Sequence, residues 1–256
     1  MGDAERNNKE IRVLELCAGY GGIGKGIERV IENVRVVAYV EIEAFPVANL
    51  VQKMEEGLLP QAPIWTNLKT FDAKPFRGMV DIVTGGFPCQ PFSCAGRRGA
   101  DEDPRHLFPY ILKTIEQCEP KAVFLENVEG IVSTKLTGGG WSDPAGTPVL
   151  LHVLRELERR GYEATWGLFS AEEIGLPHRR RRIFIYGERE PLGIAIRSRR
   201  EAVVPVARPK EKQHDWEPPR TVLNRRVFDP EELARYGFSI PEGASPPRLF
   251  GQGEGE

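Results

Sequence analysis

Long apolar runs are missing from this 256-residue chain. No stretch of roughly eighteen apolar residues occurs, so the sequence offers no helix able to span a bilayer. The first ten residues are polar and mixed in charge, without an apolar core or a small-residue cleavage site. They read as a disordered N-terminus rather than a signal peptide, and a cytoplasmic location follows as the expectation. Cysteine and histidine are scarce, four of each. Cys17, Cys89, Cys94 and Cys118 form no Cys-x-x-Cys pair, which argues against zinc and against a disulfide framework, so no metal is expected. Internal repeats are absent as well.

What is present suits one globular domain with an appendage: 40% hydrophobic and 28% charged residues. The net charge of −2 hides an asymmetry. From His178 to Arg226 there are fourteen Lys and Arg against six Asp and Glu. A basic block on an acidic body is either a solvated charged face or a phosphate-binding surface.

Apolar runs at Ile11 to Leu16, Val34 to Val40, Val80 to Thr84, Ala122 to Leu125 and Ile183 to Tyr186 predict strands. Helical spacing predicts helices over Ile23 to Asn33, Ala44 to Glu56, Leu107 to Gln117 and Val149 to Arg160, the last ended by Gly161. Strands that are apolar throughout and alternate with helices predict a parallel sheet covered on both faces. Residues 11 to 190 therefore read as a doubly wound, Rossmann-like α/β domain. Beyond 190 the prolines multiply, and residues 191 to 256 read as an irregular, basic, partly disordered extension. One short helix is expected there, over Asp229 to Arg235. Thr137 to Thr147 reads as a loop.

The first strand runs into Cys17-Ala18-Gly19-Tyr20-Gly21-Gly22-Ile23-Gly24. Glycines at 19, 21 and 24 satisfy G-x-G-x-x-G, with a strand before and a helix after. Glu41 ends the second strand, where a carboxylate can accept both hydroxyls of a ribose. A nucleoside-containing cofactor follows from this pattern. The glycines alone do not separate a nicotinamide dinucleotide from S-adenosylmethionine, nor do they exclude a turn with no ligand.

A later strand ends in Gly85-Gly86-Phe87-Pro88-Cys89-Gln90-Pro91-Phe92-Ser93. Chemistry in open α/β sheets sits beyond the carboxyl ends of strands. A cysteine on a stiff loop at that place is a candidate nucleophile, since thiolate is intrinsically reactive.

GGFPCQPFS resembles the signature of cytosine-5 DNA methyltransferases, and other stretches resemble that family in order. Glu15 to Gly22 is similar to its first motif, with Cys17 for a phenylalanine. Asn67-Leu68 stands where the family has Asp-Ile. Arg105-His106-Leu107-Phe108 resembles Arg-x-x-Leu-Phe. Glu126-Asn127-Val128 is similar to Glu-Asn-Val, and His178 to Ile183 resembles Gln-x-Arg-x-Arg-Ile, with His178 for glutamine.

The resemblance implies S-adenosylmethionine as cofactor, contacted by Cys17, Ala18, Gly19, Gly21, Gly22, Ile23, Glu41, Ile42, Asn67, Leu68, Pro88 and Leu107. It implies catalysis by Cys89, Glu126, Arg180 and Arg182, with the target base also touched by Pro88, Ser93, Asn127 and Val128. Cys89 would add to carbon 6 of cytosine, Glu126 would hold a proton at ring nitrogen 3, and Arg182, supported by Arg180, would hold the ring oxygen or Glu126. The substrate implied is double-stranded DNA with the cytosine swung out of the stack.

The family's large target-recognition region and its last two motifs are not found after Ile183. A second protein chain supplying recognition is therefore an expectation, as is a prokaryotic or phage source and nucleoid association. A non-catalytic DNA-binding relic and an RNA cytosine-5 methyltransferase are the competing readings. A nicotinamide oxidoreductase leaves the Pro-Cys-Gln and Glu-Asn-Val stretches without a role.

Overall fold

The computed structural model describes residues 10–88, 107–137, 141–173 and 179–192. They belong to one compact unit, Met1–Val222; a second unit, Leu223–Glu256, lies outside the described residues. The expected disorder of the N-terminus, the short helix at Asp229 and the irregular extension beyond 192 also fall outside them.

Seven strands form one sheet: β1 (Ile11–Leu16), β2 (Val34–Val40), β3 (Ile64–Trp65), β4 (Ile82–Gly86), β5 (Ala122–Val128), β6 (Glu163–Ser170) and β7 (Arg181–Glu188). The helices are α1 (Gly22–Val30), α2 (Ala44–Glu55), α3 (Phe108–Cys118) and α4 (Val149–Glu158). Across the sheet the order is β3-β2-β1-β4-β5-β7-β6. β1 and β4 are buried along almost their whole length because helices cover the sheet on both sides, so their sequences are apolar rather than alternating. Gly24 of α1 lies against Glu15 on one face, and Leu157 of α4 lies against Gly187 on the other. No helix among the described residues is long and apolar enough to cross a membrane.

The sheet is not wholly parallel, which corrects the expectation. β7 pairs antiparallel with both β5 and β6. The expectation failed because β6, EATWGLFS, carries no apolar run and is only partly buried. Without β6 the final strand had no partner to reverse against. The two-residue β3 was too short to leave any periodic signal.

The reversal decides what the sheet can do. The chain leaves β1 in one direction, through α1 to β2 and β3, and returns on the other side of β1 at β4. Such a switch point opens a crevice beyond the carboxyl ends of the strands. The carboxyl ends of β1, β2, β3, β4 and β5 all lie there. β7 runs the other way, so its first residues, Arg181 and Arg182, reach the same rim.

Candidate active site

The loop after β1 is bent by three residues in the left-handed region: Cys17 (φ 49°), Gly19 (φ 53°) and Gly21 (φ 75°). A cysteine in that region carries a strain of order 1 kcal/mol that glycine escapes, a cost usually met at functional positions. Burial pushes the Cys17 thiol up to about 12, and the charge of Glu41 adds to the effect. Cys17 is therefore a neutral wall of the loop, not a nucleophile.

Glu41 is buried and fastens this loop. The Gly19 N–H donates to Glu41 Oε2 at 2.6 Å and the Glu43 N–H to Oε1 at 2.8 Å. A carboxylate offers about four acceptor positions, so two remain for a ribose diol. Gly22 and Ile23 begin α1 directly after this loop. Ala18 is buried and Ile42 stands 63% exposed beside Glu41, an apolar surface turned outward. Asn67 Oδ1 accepts the Lys69 N–H at 3.0 Å, which fixes its amide at the end of β3, and Leu68 is buried behind it. Leu107 precedes α3, half-buried. A bound carboxylate acceptor, an apolar ledge and an amide thus line one crevice.

The second half of the site is built by β4, β5 and β7. Glu126 pairs with Gly86 on one side and Phe184 on the other. Arg182, two residues before Phe184, projects from the same face. Its Nε lies 2.6 Å from Glu126 Oε1, with both side chains about one-quarter exposed. A Cβ on Gly86 would stand 3.1 Å from Glu126 Oε2. Glycine at 86 thus keeps the second carboxylate oxygen open. Val128 is exposed and pairs directly with Arg182. Arg180 is exposed just before β7, its carbonyl accepting the Ala171 N–H at 2.8 Å.

Asn127 points to the opposite, buried face. Its Nδ2 donates to the Phe87 carbonyl at 2.8 Å, and its Oδ1 accepts the Val128 N–H at 2.8 Å. Phe87 is buried and stacks on Phe108 at 5.3 Å between centroids. The run that leads through exposed Pro88 into Cys89 is therefore anchored twice. Cys89 and Ser93 lie outside the described residues, as do Arg105, His106 and His178. The structure brings Glu126 and Arg182 together and sets Asn127 behind the strand end, as a clamp on Phe87.

Behind Phe108 lies a polar cluster that the sequence did not announce. Phe108 meets the His152 ring edge-on, and His152 Nδ1 lies 2.8 Å from Asp143 Oδ2. Asp143, His152 and Glu156 are all buried and have the residue types of a metal site. Guanidinium groups already hold the carboxylates, however: Arg155 and Arg159 reach Asp143 at 3.2 and 2.8 Å, and Arg160 reaches Glu156 at 2.6 Å. Burial works to raise Asp143, but Arg159 and His152 outweigh it and hold the carboxyl at about 2. The cluster is an ion-pair network that backs Phe108 and, through it, Phe87. Isolated acids and bases on α4 gave no hint of it, because Asp143 comes from the loop before the helix.

With this geometry in place the known proteins can be set beside it. The sequence model of the C-5 cytosine-specific DNA methylase family matches residues 11–235. The chain belongs to that family. It is 33% identical over 174 residues to the type II methyltransferase M.NgoMIV of Neisseria gonorrhoeae, covering 66% of this chain and 49% of that protein. It is 29% identical over 233 residues to the type II methyltransferase M.CviJI of Paramecium bursaria Chlorella virus IL3A, covering 90% of this chain and 56% of that one. The chain thus spans about half the length of the curated relatives it matches. Among solved structures, the Spodoptera frugiperda DNMT2 mutant E260A/E261A/K263A shares the fold, with a TM-score of 0.55 at 21% identity over 72% of this chain and 51% of that one. The family uses S-adenosylmethionine, and the acceptor, ledge and amide around Glu41 fit a nucleoside with a free diol.

Proposed function

We propose that this chain carries the catalytic half of a methyltransferase acting on carbon 5 of cytosine in double-stranded DNA. The observation that carries the reading is the Glu126–Arg182 pair at the rim of β5 and β7. It stands beside Gly86, on the strand that leads through Phe87 and Pro88 to Cys89.

Cytosine is a weak nucleophile at carbon 5. A thiolate at Cys89 adds to carbon 6, forming a carbon–sulfur bond and pushing electrons toward carbon 5 and the ring nitrogen and oxygen. Glu126 holds a proton at ring nitrogen 3 and Arg182 holds the ring oxygen, so the charge that develops meets fixed partners. S-adenosylmethionine, when bound, would supply the electrophilic methyl group for carbon 5, its sulfonium carbon–sulfur bond breaking to leave S-adenosylhomocysteine. Water or another base then takes the carbon-5 proton, the carbon–sulfur bond breaks, and the thiolate and aromatic ring return. Glu41 would hold the cofactor's ribose and Asn67 its adenine.

The cytosine reaches this pocket only by leaving the duplex stack, at a cost of a few kcal/mol. The basic residues from 178 onward are suited to the phosphates that steady it. The protein acts where DNA lies, in the nucleoid of a prokaryote or of a phage host, in keeping with its bacterial and viral relatives.

The test is direct. Purified chain with methyl-labelled S-adenosylmethionine labels double-stranded DNA, and Cys89→Ser does not. Label in RNA but not in DNA overturns the substrate. Cofactor binding with no label in either, even with extract from the source cell added, favours a non-catalytic DNA-binding relic.

A further inference from the structure

Three buried oxygens beneath the cofactor loop have no hydrogen-bond partner among the described residues: Glu15 Oε2, the Tyr39 hydroxyl and Thr84 Oγ1. They are neighbours. The register sets Glu15 beside Tyr39 of β2 on one side and beside Thr84 of β4 on the other. Residues paired across strands share a face, about 5 Å apart, so the three side chains form one row. All three are fully buried, at 0%, 1% and 0% exposure. A buried polar atom without a partner calls for an explanation, and three in a row on adjacent strands call for a common one.

The row touches the cofactor loop at one point. The Gly24 N–H, in the first turn of α1, donates to Glu15 Oε1 at 3.2 Å, and the Ile23 N–H contributes as well. The helix comes so close that a Cβ on Gly24 would lie 2.4 Å from Glu15 Oε2 and 2.7 Å from Val36. Glycine here is what lets α1 settle on the carboxyl. The same turn continues Gly19 to Gly22, and Gly19 is the residue that Glu41 fastens.

We propose that Glu15 is a positioning residue for the cofactor: it braces the first turn of α1 from below while its second oxygen shares internal water with Tyr39 and Thr84. A buried water typically makes about three bonds to polar groups, which is what this row offers. The inference rests on the reading of the loop as the cofactor site.

The charge of Glu15 sets how firmly it braces. Burial pushes its carboxyl up to about 7, against the pull of the Gly24 and Ile23 N–H groups and with help from the charge of Glu28. From α1, Glu28 faces it, ion-paired with Lys25 at 2.9 Å. From β2, Tyr39 faces it, its phenol held above the ordinary range by burial and by both carboxylates. From β4 only the Thr84 hydroxyl does. The ionised carboxyl accepts from the Gly24 and Ile23 N–H groups and, through water, from the Tyr39 and Thr84 hydroxyls. The protonated form must donate one bond and accepts weakly. The loop is therefore held harder above neutrality than below it.

Two measurements decide the matter. With glutamate labelled at the side-chain carboxyl carbon, carbon NMR of the intact chain shows one resonance titrating near neutrality. It is lost in Glu15→Gln and moves to higher pH in Tyr39→Phe and Thr84→Val, which remove donors to the ionised form. Titration of every glutamate in the ordinary acid range, or a midpoint unmoved by both partner variants, overturns the water-linked row. Calorimetry with S-adenosylhomocysteine gives affinity rising about tenfold from pH 6 to 8 in the parent chain. Glu15→Gln gives a weak, flat profile. Binding that is tight and independent of pH in the parent sinks the positioning role alone. No binding at any pH sinks the cofactor reading instead, and the NMR result then decides the row by itself.

Discussion

Arg182 meets Glu126 through Nε, which leaves its terminal guanidinium nitrogens for other acceptors; Nη1 donates to the Arg181 carbonyl at 2.8 Å. Arg182→Ala removes the partner that fixes Glu126 and, on the proposed mechanism, the donor for the ring oxygen. We expect a loss of about 10²–10³ in kcat, the usual cost of one charge-stabilising donor, with little change in cofactor affinity. Gly24→Ala tests the closeness of α1 at a single atom. The added methyl meets Glu15 and Val36 below 3 Å. Thermal unfolding in the variant should reveal a loss of about 1–3 kcal/mol, the ordinary cost of overpacking. Glu15 has a raised folded value, so its contribution to stability is full below the unfolded value of 4.5 and fades as pH climbs to about 7. Glu15→Gln should flatten the fall in stability across that window; a fall that persists assigns it to another group. Asp143 behaves in the opposite sense. Its stabilisation is present above 3.8 and is lost as pH drops toward about 2.

At the level of strands and loops, Asn127 is the joint between β5 and the loop that ends β4. Asn127→Leu strands the Phe87 carbonyl in the interior at a cost of about 1–3 kcal/mol and frees the approach to Cys89. Methyl transfer should then fall in kcat far more than in KM for the cofactor; equal losses would show that the clamp serves the whole domain. Most elements here could be read from the sequence because they are periodic or wholly apolar. β1, β2 and the four helices are found within a few residues. β3 was too short to register, and the mixed, half-exposed β6 carried no pattern. The reversal of β7 is invisible locally, because strand direction depends on partners distant in the chain. The site divides the same way. Glu41 and the glycine loop are legible from position and spacing, whereas Glu126 stands out only through the family resemblance. The Asp143–His152 network and the oxygen row of Tyr39, Glu15 and Thr84 exist only once strands and loops have met.

For the molecule as a whole, the proposed function assigns the two halves of the sheet separate tasks. On that reading β1 to β3 present the loops for the nucleoside, and β4, β5 and β7, on the other side of the switch point, present the groups for the base. The halves should therefore fail separately. A chain altered at Glu41 should lose S-adenosylhomocysteine affinity while keeping Glu126 and Arg182 paired. A chain altered at Arg182 should keep that affinity. DNA containing 5-fluorocytosine offers a readout that needs both. Its carbon 5 has no proton to surrender after methylation, so the protein should stay bound to DNA through denaturation. An active protein that forms no such complex does not attack through Cys89.

The direction of β7 has one more result. Neighbouring residues on a strand face opposite sides, so a slip of one position against β5 would bring Ile183 to Glu126 and send Arg182 into the greasy layer under α4. Ile183 and Ile185, both sealed in that layer, make such a slip expensive. Two isoleucines buried away from the rim thereby guard the aim of the arginine.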